Sequence, residues 1–208
     1  MNKIALVVTA LFAALNAAQA QTFPSTYPAI YPAIYPARPV PGPARFVIGV
    51  GASGGGDELA SARYPDGTTA HIHAGGLVYL TAGVDYRLLP ELSLQGTINY
   101  HVDSAETRHG DVRFERFPIE LLAYYQPNPA FRIGGGVRYT VSPKLTGSAV
   151  GAGRDVSFDN TTSAVVEAEY FQDADIGVKL RYVHETFKAP GLNQVDGSHV
   201  GLSVNFYF

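Results

Sequence analysis

The sequence predicts an all-β fold. It reads as an eight-stranded antiparallel up-and-down transmembrane β-barrel over residues 44–208, preceded by a signal peptide (1–20) and a disordered Pro-rich segment (21–43). Three observations predict the barrel. In the last stretch, Ser198 to Phe208, Val200, Leu202, Val204, Phe206 and Phe208 form one apolar row, while His199, Gly201, Ser203, Asn205 and Tyr207 form a polar or small one. Successive side chains of a strand point to opposite faces, so this strand has an oily face and a wet face, and the chain stops on an aromatic residue. The same alternation recurs in earlier segments, with no charged residue in any apolar row. Finally, the connections between segments alternate between short and long.

Composition agrees. Of 208 residues, 46% are hydrophobic and 16% charged. That fits neither disorder nor a helical membrane protein, whose spans need about 20 consecutive apolar residues each. The 22 glycines, 13 tyrosines and 11 phenylalanines suit an all-β chain. Cysteine is absent, which excludes a disulfide framework, thiol chemistry and a lipid-anchoring Cys after the signal. The net charge of −3 gives no electrostatic basis for binding nucleic acid.

Met1–Ala20 reads as a secretory signal: Lys3 supplies the positive start, Ile4–Leu15 the apolar core and Ala18-Gln19-Ala20 the cleavage site. The leader that follows, Gln21–Pro43, repeats Tyr-Pro-Ala-Ile from Tyr27 and Tyr31 and Tyr-Pro-Ala from Tyr35. Each Pro fixes its own φ and biases its predecessor toward extended backbone, so a polyproline-II-like or disordered tail is expected. Its role is a spacer or a contact to a periplasmic partner.

The eight candidate strands follow in order. Ala44–Ser53 carries Phe46, Ile48, Val50 and Ala52 on its apolar row; Gly76–Leu88 carries Val78, Leu80, Ala82, Val84 and Tyr86; Leu92–Asp103 carries Leu94, Gly96, Ile98, Tyr100 and Val102. Val112–Gln126 carries Phe117, Ile119, Leu121, Ala123 and Tyr125, with a bulge or rim irregularity expected near Phe117 and Pro118 because Pro cannot donate to a ladder. Phe131–Val141 carries Ile133, Gly135, Val137 and Tyr139; Val156–Phe171 carries Phe158, Ala164, Val166, Ala168 and Tyr170; Asp175–Phe187 carries Ile176, Val178, Leu180 and Tyr182; Ser198–Phe208 closes the set.

Leu89–Glu91, Pro127–Ala130 and Gln172–Ala174 are short turns, whereas Gly54–Gly75, Ser104–Asp111, Ser142–Asp155 and Lys188–Gly197 are longer, polar and Gly-bearing. Short turns on one side and long loops on the other distinguish a membrane barrel from a soluble sandwich. Aromatic residues also sit at both ends of the apolar rows, as interfacial girdles require. One girdle is expected from Phe46, Tyr86, Tyr125, Phe131, Tyr170, Phe206 and Phe208, the other from Tyr100, Phe117, Tyr139, Phe158 and Tyr182.

The opposite faces hold Arg45, Asp85, Arg87, Gln95, Thr97, Asn99, His101, Glu120, Tyr124, Arg132, Arg138, Glu167, Glu169, Lys179, Arg181, Glu185, Ser203, Asn205 and Tyr207, with the side of Arg116 left open by Pro118. An eight-stranded barrel is just wide enough for side chains to fill, and a buried charge without a partner costs several kcal/mol. A luminal ion-pair network is therefore expected among Arg45, Asp85, Arg87, Glu120, Arg132, Arg138, Glu167, Glu169, Lys179 and Arg181. Neighbouring strands would pair Glu120 with Arg132 or Arg138, and Glu167 or Glu169 with Lys179 or Arg181. Such a lumen is either a sealed polar core or a narrow path for ions or small solutes.

From residue 44 onward the chain resembles the small OmpA/OmpX/OmpW-type outer-membrane barrels, on the strand pattern and the Val204-Asn205-Phe206-Tyr207-Phe208 ending. The resemblance implies a Gram-negative-type outer membrane with both termini periplasmic, insertion by the outer-membrane assembly machinery, and Val204, Phe206 and Phe208 as the assembly signal. It also implies contact with outer-membrane lipid, a monomer, and a role in envelope integrity, surface interaction or slow solute passage. No peptidoglycan-binding domain follows the eighth strand here, so any wall contact is expected of the leader.

Two motifs remain. His71-Ile72-His73 has the alternate spacing that places two imidazoles on one strand face, but a metal site needs further ligands and only His109 or Asp57 suggest themselves, so no metal or cofactor is expected. His101, Ser104 and Glu106 bring together the residue types of the lipid A deacylases among such barrels. The His-x-x-Ser spacing departs from that pattern, and His101 falls on the inner face. The chain is expected not to be an enzyme.

Overall fold

The computed structural model describes residues 43–63, 69–107, 110–147, 155–191 and 193–208. The signal segment, the leader up to residue 42 and His109 lie outside them. Among the described residues there are thirteen strands: β1 (Ala44–Gly54), β2 (Glu58–Arg63), β3 (Thr69–His73), β4 (Val78–Leu89), β5 (Leu92–Thr107), β6 (Gly110–Asn128), β7 (Phe131–Gly147), β8 (Val156–Ser157), β9 (Thr161–Phe171), β10 (Ile176–His184), β11 (Thr186–Phe187), β12 (Val195–Asp196) and β13 (His199–Tyr207).

Eight of these form a closed wall in the order β1-β4-β5-β6-β7-β9-β10-β13, every pair antiparallel. β1 meets β13 in the register Val47↔Tyr207 through Gly54↔Val200, so the first and last wall strands close the ring. Closure gives each wall strand a ladder partner on both sides, which is what allows β-structure to cross hydrocarbon.

The faces divide as the alternation requires. Ile98, Leu121, Val137, Val166, Leu180 and Val200 are each more than half exposed, while Asp85, Gln95, Glu120, Arg132, Glu167, Glu169, Lys179 and Arg181 are buried. This inversion of a water-soluble protein, apolar outside and charged inside, is stable where the outer surface meets lipid. Phe46, Tyr86, Tyr125, Phe131, Tyr170, Phe206 and Phe208 are exposed at the end carrying the short turns, and Phe117, Tyr139 and Tyr182 near the other. Val204 keeps outward parity between Val50 and Val178 but is covered, unlike Phe206 and Phe208.

The structure corrects two details. Phe158 does not join a girdle. The expected single strand Val156–Phe171 is broken into β8 and β9, the interruption at 158–160 resets the alternation, and Phe158 turns inward. Much of the expected long loops is strand. β5, β6 and β7 run 16, 19 and 17 residues, beyond the roughly 9–11 that a membrane strand needs; β2 and β3 form a hairpin within Gly54–Gly75, and β12 pairs with β11. Polar and Gly-bearing residues are accommodated in these extensions because a neighbouring strand completes each ladder.

An irregularity does fall beside Phe117 and Pro118, between Glu115 and Phe117 on the β6–β7 ladder. The β5–β6 ladder steps from Ile98↔Ile119 to His101↔Arg116 with no paired residues between, so the missing N–H leaves no broken partner. The extra residue sits on β7, where Ser142 adopts φ 49°, between the pairs Phe117↔Val141 and Glu115↔Lys144. β6 itself keeps its parity, and Arg116, Phe114 and Val112 all point inward.

Candidate functional site

The inside of the barrel is a continuous ladder of ion pairs. At the end near the short turns, Arg45 Nη2 lies 2.9 Å from Asp85, whose other oxygen lies 2.8 Å from Arg132 Nη1. Arg132 Nη2 reaches Glu169 at 2.7 Å and donates to Gln95 Oε1 at 3.0 Å and to the Tyr207 hydroxyl at 2.6 Å. Its guanidinium centre lies 4.0 Å above the Tyr124 ring, a position favoured by the ring's quadrupole. Tyr207 donates its own hydroxyl to Glu169 at 2.7 Å.

In the middle, Lys179 Nζ lies 3.0 Å from Glu167 and 3.9 Å from Glu169. Arg181 Nη2 joins Glu167 at 2.7 Å to Glu120 at 2.6 Å, and the Tyr124 hydroxyl bonds Glu167. Towards the far end, Arg138 lies 3.5 Å from Glu120 and 3.7 Å from Glu185, and Arg116 lies 3.8 Å from Glu185. His101 and His199 accept from Arg138 at 3.2 and 3.4 Å, and His199 Nδ1 donates to the Gly197 carbonyl at 2.7 Å.

Arg45, Arg116, Arg132, Arg138, Lys179 and Arg181 are matched in number by Asp85, Asp103, Glu120, Glu167, Glu169 and Glu185 among the described residues. Six positive charges against six negative leave the lumen with no net charge when its histidines are neutral. That balance matters because each uncompensated ion in so narrow an interior would carry a desolvation penalty of several kcal/mol.

Small residues on the same face make room for the large ones. A Cβ added to Gly134 would collide with the Tyr124 ring, and one added to Gly51 with the Tyr79 ring. A further apolar layer of Leu122, Tyr124, Val165 and Val183 packs inside the wall. The alternation marks Val165 and Val183 as inward-facing, but their apolar character draws attention away from that side.

Of the residues expected in the network, Arg45, Asp85, Glu120, Arg132, Arg138, Glu167, Glu169, Lys179 and Arg181 lie in the ladder. Arg87 does not: it stands exposed at the rim beside a shallow cleft shared with Glu91 and Gln126. The partner choices also differ in part. Glu120 pairs with Arg138 and Arg181, whereas Arg132 pairs with Asp85 and Glu169 and not with Glu120.

An apolar cap covers the end away from Ala44 and Phe208, and the strand alternation alone points to only part of it. Ile72, Ala74, Val112, Phe114, Phe158, Phe187 and Ala189 form one buried cluster. Phe114, Phe158 and Phe187 lie with centroids 5.8–5.9 Å apart. Arg116 links cap and ladder, with its guanidinium centre 5.6 Å from the Phe114 centroid and 5.5 Å from that of Phe187, and with a hydrogen bond to the Ala74 carbonyl. The alternation Val112-x-Phe114-x-Arg116 carried half of this signal. The rest comes from hairpin β2–β3 and from the break at Phe158.

The structure does not assemble His101 with Ser104. His101 is buried in the lumen and stacked on Tyr79 at 4.7 Å, while Ser104, three residues along the same strand, falls on the opposite face opposite Arg113. The side chain of Glu106 lies outside the described residues. Asp57 is engaged elsewhere, accepting from the Asp196 N–H at 2.8 Å.

No protein-family model matches the chain, and no curated protein matches it. Solved structures do. The crystal structure of Ail, the attachment invasion locus protein of Yersinia pestis, aligns with a TM-score of 0.52 at 12% identity, covering 79% of this chain and 97% of that one. The same protein in complex with the heparin analogue sucrose octasulfate aligns with a TM-score of 0.51 at 13% identity, covering 79% and 97%. Neisserial surface protein A gives a TM-score of 0.45 at 12% identity, covering 80% and 98%. The fold is thus that of the small eight-stranded outer-membrane β-barrels.

Proposed function

We propose that this chain is an outer-membrane barrel with a structural or surface-interaction role, and that its lumen is closed to ions. The observation that carries the proposal is the unbroken ladder from Arg45 to Arg116, overlaid by the apolar cap. An ion crossing the barrel would have to separate buried, mutually neutralising pairs and then pass an apolar aromatic layer. In this reading the termini and short turns are periplasmic. Strands β5–β7 and the two hairpins then stand outside the cell, where they offer a formed surface to outer-membrane lipid or to a partner. The chain acts as a monomer inserted by the outer-membrane assembly machinery, it catalyses no reaction, and the leader is a spacer or a contact to a periplasmic partner.

The test is ion conductance of the refolded barrel in planar bilayers, beside a Glu167→Gln, Glu169→Gln variant. The wild type is expected to give no reproducible steps. Discrete steps in the wild type that change in the variant would make the lumen a pathway and replace this proposal with a narrow channel.

A further inference from the structure

Hairpin β2–β3 is amphipathic across its thickness. Ile72 is fully buried in the cap, so its neighbours His71 and His73 take the other face of β3. The strand is pinned in that orientation. The His73 N–H donates to Asp103 Oδ2 at 3.1 Å, and the next residue, Ala74, accepts from Arg116 and donates to the Asp57 carbonyl at 2.9 Å. Glu58 pairs with His73 across the hairpin and so shares its face, and its carboxylate lies 2.9 Å from His71 Nδ1.

Both rings are oriented through the same nitrogen. His71 Nδ1 faces Glu58 Oε2, and His73 Nδ1 faces the Gly56 carbonyl at 3.4 Å. An imidazole that donates from Nδ1 keeps Nε2 as its lone-pair nitrogen. Metal-binding histidines recurrently hold the second ring nitrogen on a carboxylate or a backbone carbonyl, and those are the two partners found here. Neither Nε2 has a partner among the described residues.

We propose that His71 and His73 bind a borderline divalent transition-metal ion, Zn2+ or Cu2+, on the outer face of hairpin β2–β3, with Glu58 and the Gly56 carbonyl orienting the two rings. The ring centroids are 6.4 Å apart. Two imidazoles sharing one tetrahedral ion at metal–nitrogen distances of about 2.0–2.1 Å have centroids about 5 Å apart, so the rings must close by about 1 Å. The His71 and Glu58 side chains are 49% and 45% exposed, so the hydrogen-bonded pair has room to shift together by that amount. Among the described residues no group of three His, Cys, Asp or Glu side chains is placed to hold a metal, so water completes the coordination shell. Imidazole pairs suit zinc and copper rather than magnesium or calcium, which take oxygen ligands.

The experiment is isothermal titration of Zn2+ into the full mature chain refolded in detergent micelles. One saturable site is expected. His71→Ala or His73→Ala should weaken it at least tenfold, and Glu58→Gln, which loosens only the orientation of His71, by roughly tenfold. His184→Ala, which alters an exposed histidine elsewhere on the barrel, should leave binding unchanged. Nitrogen-15 spectra of the wild-type histidine rings supply a readout independent of any variant: Zn2+ should shift the Nε2 signals of His71 and His73. The proposal is overturned if no saturable binding occurs, if binding survives the His71→Ala, His73→Ala double variant, or if those two rings do not respond.

Discussion

Arg132 offers the most direct perturbation of the ladder. Replacing it with Met keeps an unbranched apolar stem and removes the charge. Two carboxylates lose a partner, unequally. Asp85 retains Arg45 at 2.9 Å, whereas Glu169 retains Lys179 at 3.9 Å and the Tyr207 hydroxyl at 2.7 Å. Removing one partner of a buried pair costs about 3–5 kcal/mol, and the loss expected for Arg132→Met lies in that range, most of it from Glu169. Adding Glu169→Gln withdraws the stranded charge, so the double variant should be more stable than the sum of the single losses predicts, by about 0.5–3 kcal/mol. The assay is equilibrium unfolding in urea of the barrel refolded into phospholipid vesicles, with free energies from linear extrapolation. A single-variant loss below about 1 kcal/mol, the range of exposed pairs, would refute the reasoning. So would strict additivity in the double variant.

Three further outcomes are expected. Leu121 lies midway along the outward row from Phe117 to Tyr125 and is 55% exposed, so Leu121→Arg should destabilise the barrel by about 2–4 kcal/mol in vesicle unfolding, the cost of a cation near the hydrocarbon midplane. Phe187→Ala empties the centre of the cap and should cost about 3–5 kcal/mol, yet bilayer recordings should still show no steps because the ladder beneath stays closed. The Ser198 hydroxyl and N–H hold the Asp196 carboxyl below its ordinary range, the N–H at 2.9 Å. A depressed folded value stabilises fully above the unfolded carboxylate value of about 3.9 and is lost as pH falls through the folded value. Asp196→Asn should therefore lose less stability than the wild type when unfolding is measured on acidification below pH 4.

The alternating faces were readable because a strand's side-chain period is local. Once Phe206 is outward, Asn205 and Tyr207 are inward whatever the rest of the chain does. The same rule placed Glu120, Glu167, Arg181 and Glu185 inside, and the closing Val-Asn-Phe-Tyr-Phe strand marked the barrel's end. It failed where the strand itself breaks. Phe158 has outward parity if β8 and β9 are continuous, and the interruption at 158–160 sends it into the cap. It also failed for polar segments. Hairpin β2–β3 carries a loop-like composition, but its backbone is paired and buried Ile72 anchors it to the cap, with Leu59 and Ala60 packed beside it.

The sequence by itself determined which side chains face lipid and which face the lumen, because that division follows from the pleat and from the cost of a charge in hydrocarbon. It also determined that the inward charges must neutralise one another. Only the tertiary structure decided which charges meet. Arg181 reaches Glu120 and Arg132 reaches Asp85, between strands that are not neighbours in the wall. Those meetings depend on the curvature and stagger of the closed wall, which bring opposite sides of the lumen within a side chain's length. The cap was decided in the same way: Ile72, Phe114, Phe158 and Phe187 come from four separate segments and become one apolar layer only when the ring is closed.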